Sequence, residues 1–126
     1  MARVLVVEDN AANMTLATFL LESAGHTVLK ASDAEIGVAM AGAEQPDLIL
    51  MDIQLPGMDG LRATALLKGD VATRDIPIYA LTALAMKGDE ERIRAAGCDG
   101  YIAKPLAYKE FLATISAELT KHAPAE

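Results

Sequence analysis

Basic residues are in the minority. The chain carries 11 lysines and arginines against 18 acidic residues, a net charge of −7. That balance argues against nucleic acid as a direct partner, because a phosphate backbone is held through a basic surface. Cysteine is limited to Cys98. A lone cysteine forms no internal disulfide, which points to a reducing, cytoplasmic setting. It lies between Gly97 and Asp99, with neither His26 nor His122 near it in sequence, so it reads as a small turn residue rather than a catalytic thiol. No apolar run is long enough to span a bilayer, so no membrane association is expected. The first residues lack the basic, apolar, small-residue series of a signal peptide. Asn13-Met14-Thr15 matches a glycosylation acceptor, but the triplet is short and falls in a helical pattern, so it carries no weight. No repeat, low-complexity tract or linker interrupts the 126 residues. The length suits one domain with one core, expected to cover 1–126 with no output domain.

What is present is alternation. Short apolar runs of strand type exchange with helical patterns, the signature of an α/β fold with a parallel sheet. Val4-Leu5-Val6-Val7 is the first strand. Asn10 then caps a helix with Met14, Ala17, Leu21 and Ala24 inward, and Gly25 closes it. A short strand spans Thr27 to Lys30, and Asp33 caps a second helix facing inward through Ala34, Gly37, Val38 and Ala41. Gly37 costs up to about 1 kcal/mol of helix propensity relative to Ala, and close packing on the sheet is the expected compensation. Pro46-Asp47 opens a third strand, apolar on both faces as a central parallel strand should be. Pro56-Gly57 is a turn signal. A third helix turns Leu61, Thr64 and Leu67 inward, and Pro77 marks the fourth strand. Met86 to Ala96 is a charged helix with Ile93 and Ala96 inside, and the last helix buries Phe111, Ile115 and Leu119.

Chemistry collects where the apolar runs stop. They end in Glu8-Asp9, Asp52, Thr82 and Lys104-Pro105. In a parallel sheet these ends share one edge, where α/β folds bind their ligands. Three carboxylates there repel one another unless a hard cation such as Mg²⁺ joins them. Asp52 is a candidate nucleophile toward a phosphoryl group, giving an acyl phosphate. Asp9 is a candidate direct Mg²⁺ ligand, Glu8 a ligand through water, and the Gln54 backbone carbonyl a remaining protein ligand. Thr82 suits a hydrogen bond to a phosphoryl oxygen, and Lys104 suits its charge. A cis bond before Pro105, costing about 0.5–1 kcal/mol, would aim the ammonium across the strand ends. Tyr101 is a side chain expected to turn inward when Thr82 moves. Each residue has a plainer alternative: Asp52 and Asp9 as turn or helix caps, Glu8 in an exposed acidic loop, Thr82 as a β-branched strand end, Lys104 as a solvated surface lysine, Tyr101 as simple packing.

Two rival chemistries lack their residues. An aspartyl phosphohydrolase typically has a second Asp two positions after its nucleophile. Here Gln54 stands there and neither gives nor takes protons usefully near neutral pH. A flavin-binding relative would want a glycine- and hydroxyl-rich phosphate loop after the first strand, where this chain has Glu8-Asp9-Asn10.

The set Glu8-Asp9, Asp52, Thr82 and Lys104-Pro105 resembles the receiver domain of bacterial two-component response regulators. The segments 7–10, 48–56 and 85–94 are similar to DivK-type single-domain regulators. The resemblance implies a doubly wound, CheY-like (flavodoxin-like) parallel sheet of order 2-1-3-4-5 with five helices. It implies phosphoryl transfer from a histidine kinase or histidine phosphotransfer protein to Asp52, Mg²⁺ at Asp9, Asp52 and the Gln54 carbonyl, and Thr82 with Tyr101 as a switch pair. The expected molecule is a phosphoacceptor signalling protein rather than an enzyme acting on a separate substrate. It would switch a downstream protein target, with cell-cycle control as the narrower expectation. Glu8 stands where many members have Asp. A receiver that binds partners without phosphorylation, or a fragment of a larger hybrid kinase or regulator, remains the alternative.

Overall fold

The first apolar run forms β1 (Arg3–Val7), and each later apolar run forms a strand separated from the next by one helix. The computed structural model describes residues 2–55, 57–83 and 87–121. In chain order these hold β1, α1 (Ala11–Ser23), β2 (Thr27–Ala31), α2 (Ala34–Glu44), β3 (Leu48–Asp52), α3 (Gly60–Gly69), β4 (Ile78–Thr82), α4 (Lys87–Ala95), β5 (Gly100–Ala103) and α5 (Tyr108–Lys121). The strands form one five-stranded sheet of order β2-β1-β3-β4-β5. Every neighbouring pair is parallel, so all five strands end on the same edge.

Strand period two sorts the core into two halves. Val4, Val6, Leu48, Leu50 and Leu81 pack with Ala17, Leu20 and Leu21 of α1 and Phe111 and Ile115 of α5. Leu5, Val7, Ile49, Met51, Ile78 and Ala80 face Ala34 and Ala41 of α2, Ala63 and Leu67 of α3 and Ile93 of α4. This is why the central strands read as unbroken apolar runs: both faces of the sheet are covered.

The helix starts follow their side chains. Asn10, Asp33 and Asp59 each accept a hydrogen bond from the backbone N–H three residues on, at 3.0, 2.8 and 2.8 Å, which satisfies donors the first turn leaves open. Gly25 follows α1 at φ 91°, a conformation that favours glycine. Gly37 is buried in mid-helix because a Cβ there would stand 2.7 Å from Val7 Cγ2; α2 lies against β1 as its small residues require.

Some inward positions differ from the sequence pattern. Ala24 is the exposed C-cap of α1 rather than an inner residue, and Thr18 and Leu20 are buried instead. β2 runs one residue further, to Ala31. Val38, Leu61 and Leu119 are half-buried. Ala96 falls just beyond α4, half-buried, with its N–H donated to Arg92 O at 3.1 Å. On α5 the fully buried place beside Leu119 belongs to Glu118. Its carboxylate crosses to β4 and accepts the Tyr79 hydroxyl at 2.7 Å. A charged residue in an apolar stripe disturbs the periodicity, and only its partner explains it. Pro56, Met86 and the terminal residues 122–126 lie outside the described residues.

Candidate functional site

The shared edge of the sheet brings the acids together. Asp52 is the last residue of β3, in the alternating row of Leu48 and Leu50, and is 4% exposed. Its Oδ1 accepts the Gln54 N–H at 2.9 Å, which fixes the carboxylate as the chain leaves the strand. Glu8 follows β1 and is 3% exposed; its N–H is donated to Ala31 O at 3.0 Å. Asp9 is exposed beside it. Glu8, Asp9 and Asp52 each offer a carboxylate oxygen, all within 4.8 Å of one another.

Lys104 arrives from beyond β5. Its N–H is donated to Thr82 O at 2.8 Å, and the Lys104–Pro105 peptide is cis. The ammonium donates to Glu8 Oε1 at 2.8 Å and to Asp52 Oδ2 at 3.0 Å. It is not a solvated surface lysine: the side chain is 17% exposed. Thr82, 1% exposed, ends β4 between β3 and β5.

The local charge is unbalanced. Burial lifts the Glu8 carboxyl to about 7; hydrogen bonding with Asp52 and the Asp52 charge add to this against the opposing pull of Lys104. For Lys104, burial acts to lower the pKa. Its hydrogen bonds to Glu8 and Asp52 and their charges outweigh that, and the net direction is up. Glu8 Oε2 is buried without a hydrogen-bond donor among the described residues. One ammonium therefore bonds two of the three carboxylates, and one buried oxygen is left over. Such a donor set fits a hard divalent cation, which takes carboxylate and carbonyl oxygens.

Tyr101 sits further back on β5. Its ring packs partly into the core, and its hydroxyl donates to Glu90 Oε1 on α4. The sequence places Glu90 among the mixed charges of the surface that carries Tyr101, but nothing in the spacing pairs the two side chains. Gly60 is a second residue the sequence pattern did not single out. A Cβ there would overlap the Asp52 backbone carbonyl and stand 2.8 Å from Ile53 Cα, so α3 begins directly against the end of β3. The one available signal was Asp59-Gly60, a cap followed by a residue with no side chain. The cysteine is as plain as expected: Cys98 is buried, its thiol donates to Thr64 Oγ1 at 3.8 Å, and burial pushes its pKa up.

Comparison with known proteins agrees with this geometry. The response regulator receiver domain model matches residues 4–116. The chain belongs to the response regulator receiver domain family. Two-component signalling follows from that membership. This receiver is 47% identical over 116 residues to the polar-differentiation response regulator DivK of Brucella anthropi, covering 92% of this chain and 94% of the relative. The DivK of Brucella ovis matches with the same identity and coverage. Among solved structures, the receiver domain of the sensor histidine kinase PA1611 from Pseudomonas aeruginosa is 36% identical with a TM-score of 0.88, covering 94% of this chain and 98% of that one. That receiver has a magnesium ion coordinated in its active site cleft. The Vibrio cholerae chemotaxis protein CheY4 is 26% identical with a TM-score of 0.88, covering 93% and 98%. Among the described residues, no helix is long and apolar enough to cross a membrane.

Proposed function

We propose that this receiver is a phosphorylation-driven switch of a two-component phosphorelay, with Asp52 as phosphoacceptor. The observation that carries the reading is the placement of Asp52. It lies at the end of a central strand with an ammonium 3.0 Å from Oδ2 and two further carboxylates within 4.8 Å.

A carboxylate oxygen of Asp52 attacks the phosphorus of a phosphohistidine on a kinase or phosphotransfer protein. The new P–O bond forms as the P–N bond breaks, and the imidazole leaves with the bonding pair. Asp9, Asp52 and the Gln54 backbone carbonyl are the residues to hold Mg²⁺, with Glu8 supporting through water. Bound Mg²⁺ supplies charge neutralisation for carboxylates and phosphoryl oxygens. Lys104 holds a phosphoryl oxygen through its ammonium, and Thr82 holds another through its hydroxyl. Gln54 supplies no general base for hydrolysis, which suits an acyl phosphate that persists as a signal.

Filling the site shifts a pre-existing equilibrium in which Thr82 and Tyr101 move together. The output is binding of a protein target through the face of α4, β5 and α5, which carries Glu90, Glu91, Arg94, Tyr101 and the exposed Tyr108; the Lys87 side chain lies outside the described residues. Cytoplasmic action and a role in cell-cycle control complete the proposal; the DivK relative is a polar-differentiation response regulator.

Incubation with acetyl phosphate and Mg²⁺, followed by intact mass, tests the core of this reading. One phosphoryl group is expected on the wild type and none on Asp52→Asn. Equal labelling of that variant, or no labelling of the wild type, refutes it; the second result would leave a receiver that binds without phosphorylation.

A further inference from the structure

The Tyr101 hydroxyl and the Glu90 carboxylate join β5 to α4. Tyr101 pairs with Ala80 across the β4–β5 ladder, two residues before Ala103, the partner of Thr82. It therefore stands ~7 Å back from the site along β5. Its polar end is committed to α4, where Glu90 Oε1 accepts the phenol. Glu90 itself lies in the first turns of a helix that carries Arg94 four residues on. Residues at that spacing share a helix face, and glutamate N-terminal to the cation is the favoured order. Glu90 thus has two alternative partners, the Tyr101 hydroxyl and the Arg94 guanidinium.

We propose that Glu90 is a positioning residue for the switch: its carboxylate holds the Tyr101 hydroxyl on α4 in the resting protein, and Tyr101 moves only by giving up that bond. This rests on the proposed phospho-switch and adds a resting-state restraint to it. Arg94 takes up the released carboxylate, so the moved state leaves no anion without a counter-charge. The hydrogen bond to Glu90 holds the Tyr101 phenol pKa above its ordinary value; burial and the Glu90 charge add to this and Arg94 opposes it.

The test uses the full chain with ¹³C-labelled tyrosine rings, the Tyr101 signal being assigned with Tyr101→Phe. Glu90→Ala, Glu90→Gln and, as a neighbour control, Glu91→Ala are compared without and with Mg²⁺-beryllofluoride. In resting Glu90→Ala, the Tyr101 signal should lie nearer its beryllofluoride position than in wild type. One ordinary hydrogen bond corresponds to about a fivefold rise in the moved population. The phenol midpoint should fall toward the ordinary tyrosine range. Glu90→Gln keeps an acceptor but loses the charge, so its midpoint should fall less than that of Glu90→Ala while its resting signal stays with wild type. A resting Glu90→Ala protein with wild-type signal and midpoint overturns the proposal, as does an equal response in Glu91→Ala. Asp52 labelling is scored separately. An unlabelled wild type refutes the proposed function, whereas a labelled wild type beside an unmoved Glu90→Ala refutes the Glu90 assignment alone.

Discussion

Replacing Asp9 by Asn should stabilise the metal-free protein and weaken its response to Mg²⁺. Asp9 shares its corner with Glu8 and Asp52, whose oxygens lie within 4.8 Å. At that separation two unit charges repel by about 0.9 kcal/mol in a water-like dielectric, the appropriate setting because Asp9 is exposed. Two facing carboxylates double the figure. The upward shift of the Glu8 pKa, caused first by burial, and the neighbouring Lys104 ammonium take much of it back. A net relief of ~0.5–1 kcal/mol remains, which for a domain of this size is a rise of roughly 2–5 °C in Tm. With Mg²⁺ the order should reverse. A cation at one hundred times its Kd adds about 2.7 kcal/mol to the state that binds it, and the variant has lost a ligand. Thermal melts of both proteins in EDTA and in a Mg²⁺ series read the crossing directly. An Asp9→Asn protein that is no more stable than wild type in EDTA refutes the crowded-acid reasoning. Equal stabilisation of both by Mg²⁺ refutes Asp9 as a ligand.

Three further outcomes are expected. Thr82→Ala and Lys104→Ala should impair the movement of Tyr101 more than the labelling of Asp52; a labelled variant whose Tyr101 shifts normally by NMR removes that residue from the switch. Tyr79→Phe removes one hydrogen bond to the buried Glu118 carboxylate and should cost about 1 kcal/mol in urea unfolding, and an unchanged midpoint would show the bond to be idle. Burial, reinforced by the amino terminus, lowers the pKa of His26, whose Nδ1 accepts the Ala2 N–H at 3.3 Å. The unfolded chain then binds the proton more readily, so this contribution is complete above about pH 6.5 and is lost as pH falls through the folded value. The stability gap between wild type and His26→Asn should narrow on acidification, and a widening gap reverses the sign.

The order of strands and helices was legible because both faces of the sheet are covered: β1, β3 and β4 had to be apolar throughout, and Asn10, Asp33 and Pro77 punctuated them. The corner of Glu8, Asp9, Asp52 and Lys104 was legible for a related reason. Parallel strands end on one edge, so residues scattered over 96 positions meet there. What escaped was pairing between side chains of distant helices and strands. Glu118 replaces an apolar residue on the buried stripe of α5, where its carboxylate accepts the Tyr79 hydroxyl. Glu90 was placed on the surface beside Tyr101, but its bond to the phenol was not legible until α4 was set against β5. Ala24 followed the helical period beyond the point where Gly25 stops it. Periodicity tells which face turns inward; it does not tell which polar group waits there.

The sheet order assigns its strands unequal freedom. β3, which carries Asp52, is laddered to β1 on one side and β4 on the other. β5, which carries Tyr101 and leads to Lys104, is laddered to β4 alone. Displacing a strand with one neighbour strains one set of backbone hydrogen bonds; displacing a central strand strains two. The proposed acceptor is thus mounted on a strand held from both sides and the proposed reporter on an edge strand held from one. A small force generated at the fixed point is spent on the part that yields most easily, much as a stylus moves while its bearing does not.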